Sequence, residues 1–287
     1  MPFILGTANL FGNYGIGNIT KGVGQLGSLT LLKEAHTFGV FRIDTAESYP
    51  VVEKFLGSNL NDFNPYKIDS KINLGIKFTE TELMQHIYTS LQNLGISNFE
   101  CLYLHNLNPL MESNIETTKR CLNRILGDGL AKKIGVSVYS EEEIKFSLKK
   151  FSNFRSFQIL ENICDRRLVN SKYLSELNND GFELNVRSIF LQGLLLSKSD
   201  LIPPYLAGAK FTIMAFEDLA AKVNLSRLEL CVAYAKAISW ASNVVIGVGS
   251  LSELIAITNV QMPLPENYIE KIPELPSNLK DPRYWEK

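Results

Sequence analysis

The chain has 287 residues, 45% hydrophobic and 21% charged, which is ample material for one large core or two of ordinary size. Lys and Arg number 29 against 30 Asp and Glu, a formal charge of −1, so no global basic field draws the chain to nucleic acid or anionic lipid. The same mix excludes a disordered chain, a collagen-like repeat and a disulfide-stapled mini-protein.

Short runs rich in β-branched and aromatic residues alternate with helical periodicity along the whole chain. The spacing predicts strands at 3–7, 41–45, 67–72, 100–105, 133–138, 156–160, 183–189 and 243–247. Helices are predicted between and after them, at 29–37, 51–60, 80–94, 115–126, 141–150, 171–178, 228–238 and 251–258. Thr79 and Ser140 each stand before acidic residues, as N-caps do, and Gly39, Gly95 and Gly129 mark helix exits. Eight strand-helix units predict a (β/α)8 TIM barrel, read here as a single domain over residues 1–287. Residues 196–215, with Pro203-Pro204 and Gly208, read as an insertion after the seventh strand that forms a flap over the barrel mouth.

An open, doubly wound sheet is the competing architecture. Gly22-Val23-Gly24-Gln25-Leu26-Gly27 is a literal G-x-G-x-x-G, and Asp44 ends the next strand. The glycines, however, stand some way beyond the end of the first strand near Thr7, with Asn9, Asn13, Tyr14 and Asn18 in between. A pyrophosphate-binding turn has to leave the strand directly. They read instead as a flexible loop before the first helix.

Four cysteines (Cys101, Cys121, Cys164, Cys231) lack metal-ligand spacing and are expected to be reduced packing residues. Three histidines without H-x-H or H-x-x-x-H spacing give no metal site. There is no nucleophile elbow and no G-x-x-x-x-G-K-[ST] phosphate loop. The first residues lack the positive region of a signal peptide, and no 18-residue window is wholly apolar, so a cytoplasmic protein without a membrane span is expected.

Polar residues gather at the ends of the early strands. Asp44, Lys71 and His105 end three successive ones, and Tyr49 follows one short loop after Asp44. C-terminal strand ends of an α/β barrel converge on one mouth. Taken singly, each residue has a structural explanation: Asp44 a helix cap, Lys71 a solvated strand end, Tyr49 a core-edge residue, His105 a packed histidine. Together they form a proton-transfer set. A phenol titrates near pH 10, a neighbouring ammonium favours its phenolate, and a carboxylate keeps that ammonium charged and oriented. An imidazole N–H can polarise a substrate oxygen. Such a site protonates an oxygen as charge develops on it.

These residues, in Asp44-Thr45-Ala46-x-x-Tyr49, Lys71 and His105, together with Gly135-Val136-Ser137 and Gln192-Gly193-Leu194-Leu195, resemble the aldo-keto reductase superfamily. The likeness runs from Leu5-Gly6-Thr7 through Asn13-Tyr14-Gly15-Ile16 to Asp281-Pro282-Arg283-x-Trp285. It implies an NAD(P)H-dependent oxidoreductase in which Tyr49 is the general acid, Lys71 and Asp44 tune it, and His105 orients the carbonyl. It also implies that Ser137 and Gln158 hold the nicotinamide amide and that Gly6, Thr7 and Asp44 contact the cofactor. Arg187, Ser188, Phe190 and Gly193 would follow after the seventh strand, and Gly247, Gly249, Ser250 and Glu253 would lie by the last helix, whose N-terminal amides suit a phosphate.

Some positions depart from the family pattern. Val138 follows Ser137 where many relatives have Asn, and Arg187 stands where an aromatic usually stacks on the nicotinamide. Pro50 replaces a glycine after Tyr49. Gly247 and Glu253 replace basic residues that grip a 2′-phosphate, which leaves NADPH and NADH both open. The resemblance to short bacterial members suggests a small carbonyl substrate, a sugar or sugar nucleotide. A cofactor-binding, redox-sensing or partner-binding subunit with little turnover is the alternative.

Overall fold

Each of the eight predicted runs forms a strand. In the computed structural model, which describes residues 1–11, 15–16, 23–59, 66–75, 77–260 and 266–285, these are β1 (Phe3–Gly6), β2 (Arg42–Asp44), β3 (Lys67–Ile72), β4 (Cys101–Leu104), β5 (Ile134–Val138), β6 (Ser156–Leu160), β7 (Glu183–Arg187) and β8 (Asn243–Gly247). All pair in parallel in chain order, and β8 returns to β1, with Leu5 opposite Ile43 on one side and Ile246 on the other. This is a (β/α)8 TIM barrel. A closed barrel has no strand-order reversal, so the open-sheet alternative is excluded. β1 ends at Gly6 and the first helix begins at Gly24, which keeps the G-x-G-x-x-G away from the strand turn; Gly22, like Asn13, Tyr14 and Asn18, lies outside the described residues.

The helices are α1 (Gly24–Ala35), α2 (Pro50–Asn59), α3 (Glu80–Leu94), α4 (Ile115–Gly127), α5 (Glu141–Lys150), α6 (Lys172–Asn179), α7 (Lys210–Val223), α8 (Arg227–Ala237), α9 (Leu251–Thr258) and the single turn α10 (Glu266–Ile269). Thr79 and Glu82 close a capping box on α3, Gly95 ends it in the left-handed conformation, and Ser140 caps α5. The predicted flap at 196–215 needs correction. Its last six residues begin α7, which buries Thr212, Ile213, Phe216, Leu219 and Ala220; two short 3-10 turns, Ser199–Leu201 and Pro204–Ala209, lead into it.

Strand alternation sorts side chains into two populations. Ser70 points outward to Glu53 of α2 and Ser90 of α3, while Asp69 and Lys71 point into the barrel. The lumen is unusually polar. Arg42 spans it from Asp69 (2.8 Å) to Glu183 (2.7 Å), and Tyr103 Oη lies 2.6 Å from Ser156 Oγ and accepts from Asn185 (2.8 Å). Tyr103 fills the lumen so closely that a Cβ on Gly135 would lie 2.5 Å from its ring. Outside, α2 meets α3 at Gly57, where a Cβ would stand 2.0 Å from the Asn93 carbonyl oxygen. That contact sets how tightly α2, and with it Tyr49, docks on the barrel.

Candidate active site

A cavity of about 580 Å³ opens where the strands end. Asp44, Tyr49, Lys71 and His105 all line it, so the three strand ends and the loop after β2 converge as expected. Lys71 and Asp44 are 6% and 7% exposed and form a direct ion pair. The ammonium also donates to the Thr45 carbonyl (3.2 Å), and Gln158 Nε2 donates to the second Asp44 oxygen (2.5 Å). Both oxygens of a buried carboxylate are therefore bonded, which is the condition for keeping it charged away from water.

The loop carrying Tyr49 is clamped at several points. Glu47 N–H donates to the Lys71 carbonyl (3.0 Å), and its carboxylate accepts from Asn73 N–H (2.7 Å) and meets His86 Nδ1 (2.5 Å). Tyr49 O then accepts from Val52 and Glu53 N–H as α2 begins at Pro50, a helical position where a missing N–H costs nothing. Glu53, one turn on, is buried and accepts from Ser70 (2.9 Å) and Ser90 (2.5 Å). Burial pushes its carboxyl pKa up.

Burial, reinforced by the charges of Lys71 and Arg187, pushes His105 down to about 4 despite Asp44. The ring is therefore neutral above that pH. Because its folded value lies below the ordinary 6.5, the unfolded chain takes the proton first, and this site contributes stability that is lost as pH falls from about 6.5 towards 4. We expect an NMR-monitored histidine titration to place His105 near pH 4, and pH-rate profiles to show no His105 inflection near neutrality. A midpoint near 6.5 would contradict this.

Most of the expected cofactor contacts share the cavity wall. Gly6, Thr7, Ser137 and Gln158 lie at one set of strand ends, and Arg187, Ser188, Phe190 and Gly193 follow β7. Gly247 and Glu253 also line it, whereas Gly249 and Ser250 do not. Those two cap α9: Ser250 Oγ accepts from Glu253 N–H (3.1 Å), and Gly249 N–H donates to the Glu253 carboxylate (2.6 Å). Two of the amides at this helix start, those of Gly249 and Glu253, are thus engaged inside the chain.

Arg187 stacks on a protein ring, Tyr139, at 4.4 Å, and its Nε donates to Ser137 Oγ (3.1 Å). Sequence reasoning missed Tyr139, which is also covered by Arg283 at 3.6 Å, and Asn9, just beyond β1 on the cavity wall. A polar residue so close to a strand end was the available signal for Asn9. The loop after β7 is strained: Ser188, Leu191 and Gln192 all have φ between 46° and 61°, rare for residues with a Cβ and concentrated at functional walls. Gln192 O accepts from Ile16 N–H (3.0 Å), tying this loop to the one after β1.

The residues also pass a test of fit to a nicotinamide. Gln158 Oε1 is buried with no hydrogen-bond partner, because its amide nitrogen is spent on Asp44. Ser137, opposite Gln158 in register, accepts from Arg187 and keeps its own hydroxyl proton. One open acceptor beside one available donor suits a primary carboxamide. Among the described residues, no group of three or more His, Cys, Asp or Glu is placed to hold a metal ion, and no helix is long and apolar enough to cross a membrane.

Comparison with known proteins agrees with this geometry. No curated protein matches the chain. Among solved structures, a thermostable aldo-keto reductase in complex with the inhibitor epalrestat superposes with a TM-score of 0.71 at 21% identity, covering 95% of this chain and 94% of that one. At that identity the likeness speaks for the fold. The family model for the aldo/keto reductase family matches residues 2–276. A match over nearly the entire barrel places this chain in the aldo/keto reductase family, as an NAD(P)H-dependent oxidoreductase.

Proposed function

We propose that this protein reduces a small carbonyl substrate to an alcohol, with Tyr49 as proton donor. The carrying observation is the buried Lys71–Asp44 pair sharing one cavity with Tyr49 and His105. A bound nicotinamide cofactor supplies the hydride to the carbonyl carbon. The protein's own part is the proton. Tyr49 Oη–H donates to the carbonyl oxygen as charge develops there, and the Lys71 ammonium favours the phenolate left behind. Asp44, fixed by Lys71 and Gln158, holds the ammonium in place. His105 is neutral, and its Nδ1 is buried without a partner. We assign its proton to Nε2, since a buried N–H without an acceptor is the rarer orphan. That N–H polarises the carbonyl oxygen from a second direction.

The resemblance sets the adenosine end of the cofactor near Gly247 and Glu253. The Glu253 carboxylate on the cavity wall repels a 2′-phosphate and accepts from ribose hydroxyls, so NADH is the cofactor proposed. Sugars and nucleotide sugars head the substrate panel, on the strength of the likeness around Gly15-Ile16.

Absorbance of reduced nicotinamide tests the reading, with NADH and NADPH each offered aldehydes, ketoses and nucleotide sugars. Carbonyl-dependent loss of signal, faster with NADH, is expected. A clear preference for NADPH would overturn the role given to Glu253. Tight cofactor binding without turnover on any carbonyl would favour a sensing or partner-binding subunit.

A further inference from the structure

Arg187 carries a positive charge at the cavity wall that no carboxylate among the described residues pairs with. Its hydrogen bonds go to Ser137 Oγ (3.1 Å), Ser188 Oγ (3.2 Å) and the Val138 carbonyl (3.4 Å), and its face stacks on Tyr139. None of these partners is anionic. Arg283, packed on the same ring, differs: it is ion-paired with Glu143 (3.0 Å) and Asp281 (2.6 Å). The nearby carboxylate of Asp44 is engaged by Lys71 and Gln158. Arg187 is also immobilised, since three of its nitrogens are bonded and its plane is stacked.

Its position relative to the carboxamide pair gives that charge a consequence. Arg187 bonds the same Ser137 hydroxyl that, with the unpartnered Gln158 Oε1, offers a donor and an acceptor to a nicotinamide. A ring held by that pair lies beside the guanidinium. We propose that Arg187 makes the site discriminate between the two oxidation states of the nicotinamide cofactor, holding the reduced form and rejecting the oxidised one. This rests on the nicotinamide reading given above.

The physical basis is the change of charge on the ring. A dihydronicotinamide is neutral and electron-rich, and its face attracts a guanidinium. Reduction moves a hydride, two electrons with one proton, to the carbonyl carbon, while the Tyr49 proton goes to the oxygen. The ring is left with one positive charge. A fixed cation beside it in a partly desolvated site then repels it. Cofactor is held before the reaction and expelled after it. For a two-electron couple, each tenfold preference for the reduced form moves the bound potential by about 30 mV towards reduction.

Calorimetric titration of the full chain with NADH and NAD+, and with NADPH and NADP+, reads this directly without turnover. Wild-type protein should bind the reduced member more tightly, and Arg187→Gln should shrink that ratio about tenfold or more. Arg187→Lys, which keeps the charge, should retain most of it, an outcome that a purely structural role for Arg187 does not give. An unchanged ratio in Arg187→Gln, with both forms still bound, overturns the inference and leaves the nicotinamide reading standing. Wild-type protein that binds the oxidised form as tightly as the reduced one overturns it whatever the variants do. Binding of neither pair removes the nicotinamide reading, and this inference with it.

Discussion

Tyr49→Phe is expected to lower kcat by about 10² to 10⁴, the range that a positioned general acid supplies. Cofactor affinity should stay unchanged. The substitution removes one hydroxyl and keeps the ring, so the loop clamped through Glu47, Asn73 and His86 and the start of α2 stay in place. Steady-state kinetics beside cofactor titration separates the two effects. If turnover survives in Tyr49→Phe, the proton comes from elsewhere, and His105 is the next candidate in the cavity.

Lys71→Met should have the largest combined effect. It removes the ammonium that favours the phenolate, so turnover falls with it. It also strands the Asp44 carboxylate, 7% exposed, with Gln158 as its remaining side-chain partner. Breaking a buried pair from one side costs about 3–5 kcal/mol, so the midpoint of denaturant unfolding should drop markedly. Adding Asp44→Asn to Lys71→Met removes the stranded charge and should restore much of the stability but none of the activity. Chemical denaturation of both variants checks the first half and a turnover assay the second. A double variant as unstable as the single would show that the pair is not the source of the loss.

The parts of this molecule that were legible in sequence are those with a local signature. β-branched runs marked all eight strands, and β3, β6 and β8 match their predicted spans residue for residue. α3, α5 and α9 match likewise, because Thr79, Ser140 and Ser250 cap them. α7 was missed for a physical reason. Phe211 and Met214, 75% and 48% exposed, interrupt its apolar stripe, and Pro203-Pro204 just before it reads as loop.

At the mouth, Asp44, Lys71 and His105 could be read because each stands within one residue of the end of its own strand. What they bond to could not. Gln158 reaches Asp44 across 114 residues of chain and Arg187 reaches Ser137 across 50. Neither pairing leaves a local pattern. The resemblance supplied Ser137, Gln158 and Arg187 as positions, but the stack of Arg187 on Tyr139 and the self-capping of α9 by Glu253 emerged only from the fold.

The polar lumen has a bearing on how the barrel can be divided. Arg42 of β2 needs Glu183 of β7, and Tyr103 of β4 needs Ser156 of β6 and Asn185 of β7, which in turn accepts from Asn243 of β8. A cut between β4 and β5 would leave Arg42 and Tyr103 in one piece and Glu183, Ser156 and Asn185 in the other. Each half-barrel would bury polar groups that it cannot satisfy alone. Neither half is therefore expected to fold by itself, and a chain cut at that point should regain its structure only when both pieces are present.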